Sequence, residues 1–180
     1  MAQAREFRIR NAVLADARGI AIVHVQAWQE AYRGQLPDAF LDSLSIEERF
    51  MARERWMREV PEDRRMLWVA ETEGAIVGFA NAGPARDPGP AGGGEIYAVY
   101  LLKDWWGTGA GRALFETAIM ALKAAGLAPL VLWVLRTNAR AQHFYEAAGW
   151  SPDGTSKIDV RADVVFDEIR YRDSPGEVTP

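Results

Sequence analysis

Between Glu95 and Leu135 the chain reads as an apolar strand, a turn with three glycines at alternate positions, an amphipathic helix and a second apolar strand. Few folds accept that order. Glu95 to Leu102, EIYAVYLL, is the strongest strand signal in the chain. The stretch WWGTGAGRAL follows, and Leu114, Ala118, Leu122 and Ala125 then recur on one helical face until Gly126 ends the helix. Pro129 to Leu135, PLVLWVL, is apolar throughout, the mark of a strand covered on both faces. A helix between two such strands makes them parallel neighbours joined by a right-handed crossover.

The flanking segments supply the rest of a sheet. Phe7 to Val13 alternates apolar and polar residues, and Ile20, His24, Ala27, Trp28 and Ala31 then keep helical spacing up to Tyr32. Gly34 ends that helix, Pro37-Asp38 starts a further turn, and Ile46 to Val60 is a second long helix with one charged side. Met66 to Glu71 and Ala75 to Ala82 are strands joined by the short polar link Thr72-Glu73-Gly74, a hairpin. Gly83 to Gly94, rich in glycine and proline, holds neither helix nor ladder and is expected as a loop. Asn138 caps a short helix over Ala139 to Ala148, stopped by Gly149. Strands over roughly Gly154 to Val160 and Val164 to Arg172 close the chain. The expectation is a single domain over residues 1–173 with a frayed tail over 174–180.

Composition removes several chemistries. Of 180 residues 49% are apolar or aromatic, enough for a core without metal or disulfides. There is no cysteine, so disulfides, thiolate zinc sites and cysteine nucleophiles are excluded, and no His/Asp/Glu cluster points to a metal. A net charge of -4 argues against a nucleic-acid partner, whose binding rests on clustered Lys and Arg. No stretch approaches the roughly 18 apolar residues of a membrane span, and the N-terminus has no apolar leader region, so a cytoplasmic protein is expected.

Gly107, Gly109 and Gly111 stand where a strand feeds a helix, which leaves several backbone N–H groups free at the positive end of the helix dipole. Such a turn is a phosphate site made from backbone. A P-loop needs Lys followed by Ser or Thr after the glycines, and neither is present. A dinucleotide fingerprint needs G-x-G-x-x-G and an acidic residue about 20 positions on; here the spacing is G-x-G-x-G, and Val131 to Leu135 is wholly apolar.

Together these residues resemble the GCN5-related N-acetyltransferase (GNAT) family over nearly the whole chain. In that family an apolar V-x-x strand end precedes Q/R-G-x-G-x-G/A, and here Val99-Tyr100-Leu101 precedes Trp106-Gly107-Thr108-Gly109-Ala110-Gly111. A second segment, N-x-x-A-x-x-F-Y-E-x-x-G-F/W, is matched at every fixed position by NARAQHFYEAAGW, Asn138 to Trp150. Trp106 departs from the usual Gln or Arg. The resemblance implies a mixed α/β fold: a mostly antiparallel sheet of about seven strands, splayed between the fourth and fifth, with about four helices and acetyl-coenzyme A in the splay.

It also implies roles. Val99 and Leu101 would bond the pantetheine amides through their main chains. Trp106, Gly107, Thr108, Gly109, Ala110, Gly111 and Arg112 would surround the pyrophosphate, and Asn138 is first a helix cap and second a cofactor contact. Tyr145, turned away from the flank that Phe144 packs, would be the general acid that protonates the leaving thiolate. Glu95, or a water chain in its place, would take the proton of the amine. Trp28 and Tyr32, one turn apart, would line the acceptor pocket, while His24 and His143 are read as packed or exposed residues. The activity implied is acetyl transfer to a primary amine of a small molecule or peptide. The alternative is an acyl-coenzyme A sensor with little transfer. The acceptor's identity stays open, as does the oligomeric state, although an exposed C-terminal strand would offer an edge for a homodimer.

Overall fold

In a computed structural model, which describes residues 5–87 and 93–173, the chain builds one seven-stranded sheet with the order β1-β2-β3-β4-β5-β7-β6. The strands are β1 (Arg8–Asn11), β2 (Leu67–Thr72), β3 (Ala75–Pro84), β4 (Gly94–Leu101), β5 (Leu130–Leu135), β6 (Trp150–Arg161) and β7 (Val164–Asp173). Five helices accompany them: α1 (Ala17–Tyr32), α2 (Asp38–Asp42), α3 (Ile46–Glu59), α4 (Ala110–Ala124) and α5 (Ala139–Ala147). β4 and β5 pair in parallel and every other neighbour is antiparallel, as the crossover argument requires.

Period-two alternation divides the sheet between two cores. In β2, Leu67 and Val69 face α1 and α3, where Ile20, Val23, Met57 and Phe79 complete the cluster. Trp68 and Ala70 face the other way, toward Leu114, Phe115, Ala118 and Leu122 of α4. Burying each of the larger side chains contributes about 1.5–3 kcal/mol, which is what holds the helices on the sheet. A third cluster of Trp28, Leu36, Leu41, Leu135, Val164 and Phe166 fills the end where α1 and α2 meet β5 and β7. Local signals agree with these packings. Ser45 accepts a hydrogen bond from the Glu48 amide at 3.2 Å and caps α3, and Glu73 and Gly74 turn the β2–β3 hairpin with φ of 47° and 80°.

Several boundaries differ from expectation. β1 ends at Asn11 because Asp16 captures the Val13 amide at 2.8 Å and pulls Leu14–Asp16 into a 3-10 turn. β3 runs on to Pro84, paired with Gly94, so the glycine loop shortens to residues 85–93, and 88–92 lie outside the described residues. β6 starts at Trp150, four residues early, and absorbs Pro152 and Gly154 in an irregularity between Pro152 and Ser156. The last strand, β7, lies between β5 and β6. The edges of the sheet are therefore β1 and β6, which corrects the expected C-terminal edge. Residues 174–180, expected to fray, lie outside the described residues.

Candidate active site

β4 and β5 stay paired for three positions only, Gly94 to Ile96 against Leu130 to Leu132. Beyond Ile96 the two strands part, while β4 keeps its bonds to β3 through Leu101. One side of the main chain from Tyr97 to Leu101 is thereby released. The gap opens into two adjoining cavities of about 460 and 270 Å³.

The larger cavity lies over the glycine turn. Val99, Leu101, Trp106, Gly107, Gly109, Gly111 and Arg112 all line it. Gly107 and Gly109 have φ of 74° and 93°, in the left-handed region where a side chain is strained. Gly111 differs: its φ is not positive, and a Cβ there would stand 3.2 Å from Leu101 Cδ1, a close contact that a small shift of that side chain relieves. Among the described residues the Ala110 amide has a long bond to Thr108 Oγ1 at 3.4 Å, and the amides of Gly107, Thr108, Gly109, Gly111 and Arg112 have no acceptor on the chain. A row of free N–H groups at the start of a 15-residue helix suits a pyrophosphate. Thr108 and Ala110 do not line the cavity; the Thr108 hydroxyl donates to Trp105 O at 2.8 Å and Ala110 is fully buried.

Trp106 donates its indole N–H to Leu101 O at 3.3 Å, and Arg140 of α5 stacks on its ring with the guanidinium carbon 3.5 Å from the centroid. Sequence reasoning passed over Arg140. It occupies a variable position of the Asn138 to Trp150 segment, two residues after the cap, and that nearness was the available signal. A cation from α5 thus stands over the ring at position 106.

The smaller cavity lies on the far side of Tyr145. Tyr145 lines both spaces, together with Val99, Tyr100 and Arg140. Its ring packs against Phe115 and Phe144 at centroid distances of 5.4 and 5.3 Å, so α5 holds it firmly. Burial, reinforced by the neighbouring Tyr100, raises the pKa of its phenol, which keeps it protonated at neutral pH. Tyr32 and Tyr100 are raised by burial in the same way.

Trp28 and Tyr32 both line this smaller cavity, their rings edge to face at 5.1 Å. Glu95 lines it too and, at 1% exposed, is buried beneath the cavity surface. Its carboxylate accepts from the Arg86 amide at 2.9 Å and from Arg86 Nη2 at 2.5 Å. Asn138 caps α5, its side chain accepting from the Ala141 amide at 3.1 Å, and it faces this cavity and not the larger one. His24 stacks on Tyr100 at 5.5 Å and lines the cavity as well. Burial, with Arg49 and Arg53 nearby, pushes its pKa down to about 3, so it is a neutral wall residue at neutral pH. Asn81 of β3, Arg53 of α3 and Glu168 of β7 add to the polar lining, with Lys157 and Arg161 of β6. None of these belongs to a motif, and only the tertiary fold brings them together.

Comparisons with known proteins agree with this geometry. Residues 25–150 match the family model described as the Acetyltransferase (GNAT) family. An uncharacterized N-acetyltransferase of Bacillus subtilis (strain 168), YuaI, is 34% identical over 146 residues, covering 81% of this chain and 79% of its own. The mycothiol acetyltransferase of Frankia casuarinae is 36% identical over 95 residues, 49% of this chain and 28% of that longer protein. Among solved structures, the PaiA N-acetyltransferase of Thermoplasma acidophilum in complex with coenzyme A shares the fold, with a TM-score of 0.73 at 20% identity over 94% of this chain and 99% of that one. With a splayed β4–β5 pair, a glycine-built cradle and residues 25–150 matched, the chain belongs to the GNAT family of acetyltransferases, enzymes that take the acetyl group from acetyl-coenzyme A.

Proposed function

We propose that this chain, acting as one domain over residues 1–173, transfers the acetyl group of acetyl-coenzyme A to a primary amine of a small molecule or peptide by direct attack. The carrying observation is Tyr145, a half-buried phenol that lines both the cofactor cavity and the acceptor cavity. In this reading the free amides of Gly107, Gly109, Gly111 and Arg112 receive the pyrophosphate, with the Arg112 side chain beside them and Arg140 on its Trp106 platform adding charge. The main chains of Val99 and Leu101 align the pantetheine arm, since their β5-facing side is unpaired in the sheet. The thioester then lies near Ala98 and Val99.

The neutral amine attacks the thioester carbonyl carbon, a tetrahedral intermediate forms, and the carbon–sulfur bond breaks. The products are an amide and coenzyme A. Tyr145 gives its proton to the departing thiolate sulfur and regains one as the nitrogen, cationic after attack, loses its extra proton to leave the neutral amide. The amine, with a reference pKa near 10 for a lysine-like group, must lose a proton before it attacks. Glu95 is assigned that proton, directly or through water, with Arg86 fixing the carboxylate's position.

Tyr145→Phe tests the reading. Turnover is expected to fall by roughly a hundred-fold to ten-thousand-fold, the range for a lost general acid, with acetyl-coenzyme A affinity retained. Unchanged turnover would remove Tyr145 from the mechanism and favour a sensor.

A further inference from the structure

The acceptor cavity carries a charge pattern that the transfer reaction itself does not need. Five cationic side chains, Arg53, Arg86, Arg140, Lys157 and Arg161, face it against two carboxylates, Glu95 and Glu168. Most of these are paired off. Arg86 is bound to Glu95, Lys157 to Asp87 at 2.5 Å, and Arg161 to Asp159 at 2.6 Å. Arg140 is engaged on Trp106 at the cofactor side. Neither Arg140 nor Arg53 has a carboxylate within 4 Å among the described residues, but Arg140 also lines the larger cavity, whereas Arg53 lines the smaller one alone and rests on the faces of Trp56 and Phe79, at 5.3 and 5.7 Å. Burial is the main reason its pKa falls, to about 10, and Arg49 adds repulsion, so the guanidinium stays charged at neutral pH without a counter-ion.

Two further polar atoms on the same wall lack partners. Asn81 Oδ1, an acceptor, and Trp28 Nε1, a donor, are both closed off from water without a hydrogen bond. A buried polar atom left unpaired is unfavourable, and a bound ligand is one way to satisfy it. Asn81 is the β3 partner of Ala98, beside the place assigned to the thioester. An acceptor oxygen there suits an amine, and the guanidinium of Arg53 suits an anion. The volume, about 270 Å³, sits just under the range of drug-sized pockets.

We propose that the acceptor is a compact amine that also bears a carboxylate, an α-amino acid or close analogue, with the carboxylate held by Arg53 and the amine received at Asn81. The inference rests on the acetyl-transfer reading above and narrows it. Diamines are disfavoured, because a second ammonium would meet an uncompensated guanidinium.

The test is a coenzyme A release assay with acetyl-coenzyme A and three acceptor sets: L-α-amino acids, their α-carboxamides and α,ω-diamines. Wild type, Arg53→Met and Arg53→Lys are compared, with melting temperature and calorimetric acetyl-coenzyme A affinity confirming each fold. The wild type is expected to prefer an amino acid over its own carboxamide by roughly 10- to 150-fold in kcat/KM, the worth of a hydrogen bond to a charged group. That ratio should fall to within about threefold in Arg53→Met and sit between in Arg53→Lys. Carboxamides or diamines used as well as amino acids would overturn the proposal and leave the transferase reading standing, and so would a full ratio in Arg53→Met. No turnover in any set, by protein that binds acetyl-coenzyme A, would overturn this inference, and no turnover with peptide and other small-molecule amines as well would overturn the transferase reading.

Discussion

Gly109→Ala separates the two reasons for glycine in the cradle. Gly109 sits at φ 93° with nothing within 4 Å of where a Cβ would stand, so alanine meets no clash and suffers only the left-handed backbone. That strain is about 1–2 kcal/mol for an L-residue. In a chain of this length each kcal/mol lowers Tm by about 2–4 °C, so a fall of roughly 2–8 °C is expected. Gly111→Ala is the matched control: its φ is not positive, the Cβ would touch the mobile end of Leu101 at 3.2 Å, and alanine favours the helix by up to about 1 kcal/mol. Its Tm should stay within about 2 °C of wild type. Thermal melts with and without acetyl-coenzyme A complete the assay. At about a hundred times Kd the ligand should raise wild-type stability by about 2.7 kcal/mol. In Gly109→Ala the new methyl stands where the phosphate approaches the amides, so at the same concentration the rise should shrink by at least about 1.4 kcal/mol, a tenfold loss of affinity. A Gly109→Ala protein with wild-type Tm and the full ligand-induced rise would refute both the strain argument and the place of the cradle.

Other changes probe separate parts of the account. Asp16 is 7% exposed, and although burial alone would raise its pKa, hydrogen bonds from Arg10 and the Val13 amide outweigh that and lower it. Its contribution is therefore complete above the unfolded carboxylate value near 3.9 and is lost as pH falls through the lower folded value. Asp16→Asn should cost about 1–3 kcal/mol at pH 7, and the gap to wild type should narrow in urea melts taken at progressively lower acid pH; a gap that does not change with pH would contradict the assignment. Arg140→Met should weaken acetyl-coenzyme A binding roughly tenfold by calorimetry, as the loss of one charge-assisted contact would; wild-type affinity would place Arg140 outside the cradle.

The parts of the fold that were legible in the sequence are those decided locally. Apolar PLVLWVL reads as a doubly covered strand because α4 and the α1 side both need its faces, and Asn138 reads as a cap because its side chain reaches an amide three residues on. The course of β6 was not legible, since Pro152 and Gly154 look like a turn until β7 supplies a partner on either side of the irregularity. The proposed cofactor cradle could be put forward from sequence because its residues are contiguous. In contrast, the proposed acceptor cavity draws Trp28 and Tyr32 from α1, Arg53 from α3, Asn81 from β3 and Glu168 from β7. Trp28 and Tyr32 could be proposed from one-turn spacing; the others carry no local mark, because what distinguishes them is a missing partner in three dimensions.

The most direct test of the central claim is calorimetric titration of the purified protein with acetyl-coenzyme A, with NAD and ATP alongside. The account predicts one acetyl-coenzyme A site of about micromolar affinity per chain, near -8 kcal/mol, and no heat of binding from NAD or ATP. A folded protein that leaves acetyl-coenzyme A unbound would contradict the account.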